Sequence, residues 1–245
     1  MDPTSRTHDA PMEVRGVAVE TRPDGTRTTL TLLPTEGAEF PERAVRRDLT
    51  AVVRRGAPGL GARILVLRGL GTPQSAEAAA PRFKHPADAA ELVALCRRLE
   101  EIPRPVIGVA DGRVSGLHLD LLLACDLSIA SSRATFAFGE ILSGEVSPLL
   151  VTRAIGLLGR RVAGYLAATG GELDAATALA LGLLNEVVPR DQLDARVDAL
   201  VEKLNRRPPR GLAVTKRMVA KSANADYVTA EEIGRALAYR AEAKR

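Results

Sequence analysis

Residues 106–140 read VIGVADGRVSGLHLDLLLACDLSIASSRATFAFGE. The opening run Val106–Ala110 is wholly apolar and closes on Asp111-Gly112, the pattern of a strand buried on both faces of a parallel sheet. A glycine-containing loop leads to Gly116, and GLHLDLLLACD continues as a helix that is apolar apart from His118 and Asp120. LSIAS and ATFAFGE read as short strands around a Ser-Ser-Arg turn, with Glu140 closing the second. The first N–H groups of a helix lack partners within it and are disposed to hold an oxyanion. Asp120 lies one turn beyond Gly116, and the returning strand would bring Glu140 towards the same end. Two carboxylates beside an amide-lined hole suit proton transfer next to a polarised thioester carbonyl.

The flanking sequence extends this α/β reading. Residues 1–12 read as a disordered tail. From Val14 the chain alternates apolar and polar residues around Pro23, Asp24 and Gly25, as a β-hairpin does. Residues 41–55 place Ala44, Val45, Leu49, Val52 and Val53 at helical spacing after Pro41. ARILVLRG is a second buried strand, and helical periodicity resumes over 86–101. Beyond Glu140, helices are expected at about 149–169, 174–182, 190–205, 209–222 and from 229 onward, with NEVVP as a strand between the second and third. Repeated strand–helix alternation implies an α/β core over 13–190 and a helical region over 191–245.

Composition excludes several classes of function. The chain has 245 residues, 46% of them hydrophobic, enough to bury a sizeable core. Its net charge of +4 is spread without dense basic runs, only 3% of residues are aromatic and none is Trp. Nucleic-acid binding therefore has no electrostatic stripe and no stacking platform. Cys96 and Cys125, the two cysteines, sit in apolar helical patterns and read as buried free thiols of a reducing cytoplasm. Three His with no CxxC or HxxxH leave no metal-ligand cluster. The N-terminus has no apolar segment of the signal-peptide kind, and charged residues interrupt the best membrane-spanning candidate.

Nucleotide motifs fail on spacing. Gly69-Leu70-Gly71 follows a strand, but the third glycine of GxGxxG would fall at Gln74 and Pro73 disrupts the helix start. Neither a GxxxxGK[ST] loop nor a GxSxG elbow is present.

The central stretch resembles the enoyl-CoA hydratase/isomerase, or crotonase, superfamily, whose strand–loop–helix P-V-I-A-A-V-N-G-x-x-x-G-G-G-x-E-L-x-x-x-C-D is followed by A-x-F-x-x-P-E. Pro105, Val106, Ile107, Gly112, Gly116, Asp120, Leu121, Cys125, Asp126, Ala134, Phe136 and Glu140 match it without a gap. ILVLRGLGTPQSAEAAA is similar to the family's first oxyanion loop, AATGGELDAATALALGLLNEVVP to its later helix and strand, and PPRGLAVTKRMV to its C-terminal P-x-A-x-x-x-x-K. The resemblance covers about residues 14–222. It implies a crotonase-type spiral of ββα units with a helical C-terminal trimerisation region, assembled as a homotrimer or a dimer of trimers. No separate cofactor is implied, because coenzyme A or phosphopantetheine belongs to the substrate.

Carried over by position, the oxyanion N–H groups would come from Ala78 and Leu117, and the acid/base carboxylates would be Asp120 and Glu140. Ser75, Ala76, Gly116, His118 and Lys216 would bind the acyl-CoA or acyl-carrier-protein thioester. Several positions depart from the pattern. Asp120 stands where hydratases have Glu, which sets the carboxylate back by about 1.5 Å when positioning on that scale governs rate. Leu117 crowds the hole, Glu77 replaces a loop glycine, and PGAGG has become Ser147-Pro148-Leu149-Leu150-Val151. Each residue also has a plainer role: Asp120 as a charge favoured by the helix dipole, Glu140 and Glu145 as exposed carboxylates, Asp126 as a turn residue, His118 at a subunit boundary, and Lys216 and Arg217 as solvated surface. The function implied is enolate chemistry on an acyl thioester, by hydration, isomerisation or decarboxylation, in specialised metabolism. A non-catalytic subunit of the same fold is the alternative.

Overall fold

The structure, a computed structural model, describes residues 16–33, 41–55, 62–71, 86–223 and 225–242. The expected tail over 1–12, and Ser75, Ala76 and Ala78, lie outside the described residues.

Strands β1 (Val17–Thr21) and β2 (Arg27–Leu32) form the expected hairpin. Its turn closes where Asp24 accepts from the Thr26 N–H at 2.9 Å and the Thr26 hydroxyl at 2.6 Å. Helix α1 (Pro41–Arg55) buries Val45, Leu49, Val52 and Val53, four of the residues at helical spacing. There follow β3 (Ile64–Leu70), α2 (Pro86–Glu101), β4 (Val106–Ala110), β5 (Arg113–Val114), α3 (Gly116–Leu123), β6 (Leu127–Ser131) and β7 (Thr135–Ala137). A 3-10 turn at Gly139–Ser143 leads into α4 (Pro148–Thr169), β8 (Glu172–Asp174), α5 (Ala175–Ala180) and β9 (Glu186–Val188). Helices α6 (Leu193–Asn205), α7 (Pro209–Ser222) and α8 (Tyr227–Glu242) complete the described elements.

Six strands form one sheet in the order β1-β2-β3-β4-β6-β9, antiparallel at its first pair and parallel thereafter. The apolar runs of β3 and β4 are explained by burial on both faces. Along β3, Leu65 and Leu67 join the core beneath α1 to α4, while Ile64 and Val66 face the other way, with Ile107, Val109 and Ile129, onto Leu193, Val197, Leu200 and Val201 of α6. A second sheet runs β5-β7-β8.

Two expectations need correction, and one pairing could not be read from the sequence. ATFAFGE is a strand only over Thr135–Ala137, because the chain turns into the 3-10 segment before Glu140. LSIAS and this strand belong to different sheets: the Thr135 N–H donates to the Gly112 carbonyl at 3.0 Å, which draws β7 to β5 and away from β6. The helix expected over 174–182 is shorter and is preceded by β8, since Leu173 is needed opposite Phe136.

Cys96 is buried, Cys125 half-buried, and both are free thiols. Burial pushes the Cys96 thiol up to about 12, against the pull of Arg153, and raises Cys125 as well, so both stay protonated at neutral pH. Among the described residues no helix is long and apolar enough to cross a membrane.

Candidate active site

Helix α3 starts where Gly116, at φ +57, turns the chain out of Ser115. The turn's first hydrogen bonds are the His118 N–H to the Ser115 carbonyl at 3.1 Å and the Leu119 N–H to the same oxygen at 3.4 Å. The Gly116 and Leu117 amides therefore stand at the helix start, where the peptide dipoles favour negative charge. Seven of the eight helix residues are buried, Leu117 and Asp120 among them.

Asp120 is fully buried. Its Oδ1 accepts from the Ser147 hydroxyl at 3.4 Å, and Ser147 Oγ in turn accepts from the Leu150 N–H at 3.2 Å as the N-cap of α4. Ser147 thus joins the carboxylate of α3 to the start of α4. In the sequence Ser147 marks only a departure from PGAGG, although Ser followed by Pro148 at the first helical position is a recognisable cap.

Glu140 occupies the turn immediately before α4 and is 9% exposed. Its carbonyl accepts from the Ser143 hydroxyl at 2.9 Å and the Glu145 N–H at 3.0 Å, which fixes the backbone around it. Gly144, at φ +77, ends the turn, and Phe138 before it is buried. Helix α3 packs on α4, and α4 on the 3-10 turn. Asp120 is thereby joined to the α4 start through Ser147, and the turn that carries Glu140 packs on the same helix.

His118 is half-buried and accepts at Nδ1 from the Gly71 N–H, 3.2 Å away, at the end of β3. Leu117, His118 and Asp120 thus share one helix with Gly116, and Gly71 is the last described residue before the segment holding Ser75, Ala76 and Ala78.

Lys216 is placed elsewhere. Only 7% exposed, its Nζ pairs with Asp126 Oδ2 at 2.7 Å and donates to the Leu99 and Arg104 carbonyls at 2.8 and 3.1 Å. Three acceptors use the three donors of an ammonium group. This cluster lies beyond the far end of α3, which closes at Leu123, about 9 Å along the axis from Leu117. These contacts tie α7 to the core. Asp126, which also accepts from the Val106 N–H at 2.8 Å, is a structural turn residue.

A helix start can hold an oxyanion, and Asp120 on the same helix and Glu140 on the turn before α4 are groups able to move a proton. The sequence profile of the enoyl-CoA hydratase/isomerase family matches residues 74–244. The chain belongs to this family. Similar relatives include a putative enoyl-CoA hydratase of Thermus thermophilus, 28% identical over 171 residues that make up 65% of this chain and 66% of that protein. A trans-2-decenoyl-(acyl-carrier-protein) isomerase of Streptococcus mutans is 32% identical over 139 residues, covering 55% of this chain and 52% of its own. Methylmalonyl-CoA decarboxylase of Escherichia coli is 26% identical over 145 residues, 58% of this chain and 54% of its own. The matched stretch spans between about half and two thirds of these relatives. In overall shape the chain is similar to an enoyl-CoA hydratase of Mycobacterium smegmatis, with a TM-score of 0.80 at 23% identity over 91% of this chain and 90% of that one. A putative enoyl-CoA hydratase of Thermobifida fusca, solved with acetoacetyl-CoA, gives 0.77 at 23% identity over 94% and 96%. The crotonase fold expected of the family is the fold observed.

Proposed function

We propose that the protein is an acyl-thioester enzyme that forms a thioester enolate, with Glu140 as the group that moves the proton. The carrying observation is the unequal placement of the two carboxylates. Asp120 is fully enclosed and engaged by the Ser147 hydroxyl, whereas Glu140 retains 9% exposure on a turn bordered by Ile141, itself 39% exposed. With Asp120 held by Ser147, Glu140 as the single acting carboxylate favours double-bond isomerisation over two-acid hydration. Glu140 removes a proton from the α-carbon of a 3-enoyl thioester, the C–H electron pair delocalises onto the thioester oxygen as a dienolate, and the Glu140 carboxyl, whose proton exchanges with solvent, delivers a proton to the γ-carbon as the 2,3 double bond forms. The developing oxyanion is held by the Leu117 N–H and, by family position, that of Ala78. Asp120, through the Ser147 hydroxyl, keeps α3 in register with α4.

The thioester is that of coenzyme A or a carrier protein, in line with the acyl-carrier-protein isomerase and the CoA enzymes among the relatives. Assembly as a homotrimer or a dimer of trimers is part of the same reading.

The test is deuterium uptake at the α- and γ-carbons of a panel of enoyl-CoA thioesters, followed by mass spectrometry. Glu140→Gln should lower uptake by roughly 10²–10⁴-fold, the scale of a lost general base. Equal uptake in both proteins would remove Glu140 from the mechanism. Tight thioester binding with no uptake, on CoA and carrier-protein substrates alike, would identify a non-catalytic subunit of the same fold.

A further inference from the structure

We infer that Leu142 and the pair Gly170-Gly171 are positioning residues for Glu140: α4, broken at Gly159, folds back so that the glycines at its end brace the turn on which Glu140 stands. The inference deepens the enolate reading above and rests on it.

The turn is held on both sides of the carboxylate. Two residues before Glu140, the Phe138 N–H donates to the Gly171 carbonyl at 2.9 Å. Two residues after it, Leu142 lies directly over Gly170, where a Cβ would fall 2.8 Å from the leucine Cγ and Cδ2. Gly170 caps α4 at φ +67 with its N–H on the Leu166 carbonyl, and the Gly171 N–H shares that acceptor at 3.0 Å. The brace is therefore the C-terminal cap of the same helix whose N-terminal cap, Ser147, follows the turn.

A straight helix could not bring both of its ends to one turn. At 22 residues it would be about 33 Å long. The chain from Leu142 to Pro148 spans at most about 21 Å even when fully extended. The bond from the Glu145 N–H to the Glu140 carbonyl at 3.0 Å draws it in further. Gly159 resolves the mismatch. Its φ of +75 and ψ of 160 break the helix in a region of backbone space that is essentially restricted to glycine. Each half then buries a face of its own, with Leu150, Ala154 and Leu158 before the break and Ala163 and Leu166 after it. A Cβ at Gly159 would meet nothing within 4 Å, so backbone conformation alone calls for glycine there.

The test uses the full chain labelled with ¹⁵N-phenylalanine, which reports on four amides, in the wild type, Leu142→Ala and Gly159→Ala. Alanine at 142 removes the contact over Gly170 from a side chain that is 71% exposed, and alanine at 159 drives the backbone out of its break without a side-chain clash. In both variants amide hydrogen exchange at Phe138 should quicken at least about tenfold, with Phe136 of β7 unchanged as the control for global opening. The kcat for thioester deuterium exchange should fall roughly tenfold to a hundredfold with KM changed less than about threefold, as for a misplaced base. The urea midpoint of Leu142→Ala should equal that of the wild type, so this variant carries the test should Gly159→Ala fail to fold. Unchanged Phe138 exchange would overturn the brace. Faster exchange with wild-type kcat would overturn the positioning role alone. A raised KM at unchanged kcat in Leu142→Ala would overturn it in favour of direct contact between Leu142 and the thioester. Absence of deuterium uptake by the wild type would instead overturn the enolate reading and the role of Glu140 with it, while Phe138 exchange would still decide the brace.

Discussion

Lys216 shows how far a single position can be carried from a motif. Its place in P-x-A-x-x-x-x-K suggests contact with substrate, yet its ammonium group is enclosed by Asp126 and two carbonyls. Removing one partner of a buried ion pair typically costs about 3–5 kcal/mol, and the partial exposure of Asp126 relieves some of this, so Lys216→Met should destabilise by about 2 kcal/mol in urea unfolding. Thioester affinity of the folded protein should be unchanged; a tenfold loss would return Lys216 to the binding site. Asp120 and Glu140 were legible as residues, because carboxylates in an apolar pattern stand out. Their difference in enclosure was not legible. It depends on the Ser147 hydroxyl, on an element distant in sequence from α3, and on a 3-10 turn where alternation suggested strand.

The elements around the site are fastened at the C-terminal ends of the parallel strands. Asp111, just past β4, accepts from the Ser131 hydroxyl of β6 at 2.6 Å, from Arg133 at 2.7 and 2.6 Å, and pairs with Arg190 beyond β9 at 2.7 Å. Arg68 of β3 pairs with Asp194 of α6 beside them. The Arg133 hydrogen bond is the largest influence on Asp111; with Ser131 and Arg190 it overcomes the opposing effect of burial and lowers the carboxyl from 3.8 to about 2. A carboxylate with a depressed pKa stabilises the fold above its unfolded value and loses that contribution as pH falls through the folded one. Stability should therefore decline between about pH 4 and pH 2, and Asp111→Asn should flatten this part of the curve in denaturation measured at each pH. An unchanged slope would show that the pairing continues in the unfolded chain. The strands meeting here were readable from their apolar runs. The short strands β5 and β8, at two and three residues, were not, since so few residues carry no periodicity.

Among the described residues, the exposed large apolar side chains other than Leu179 of α5 fall into two groups. Ile141, Leu142, Val146, Ile155, Leu157 and Tyr165 follow the 3-10 turn and α4, while Val219, Tyr227 and Val228 lie on the C-terminal helices. Exposed apolar area of this kind marks contact surfaces. The proposed assembly gives a mass three or six times the 26.0 kDa of the chain in sedimentation equilibrium. Tyr227→Glu with Val228→Glu should shift it towards monomer, because burying the new carboxylates carries a desolvation cost. A wild-type monomer at micromolar concentration would overturn the assembly. Apart from β5 and β8, the succession of strands and helices and the family could be read from the residues, because burial on both faces imposes continuous apolar runs and a glycine-marked loop precedes α3. Which polar groups are used up inside the fold follows from packing. Lys216 meets Asp126, Ser147 meets Asp120 and His118 meets Gly71 through contacts between residues far apart in the chain, and such contacts leave no periodic trace in the residues that make them.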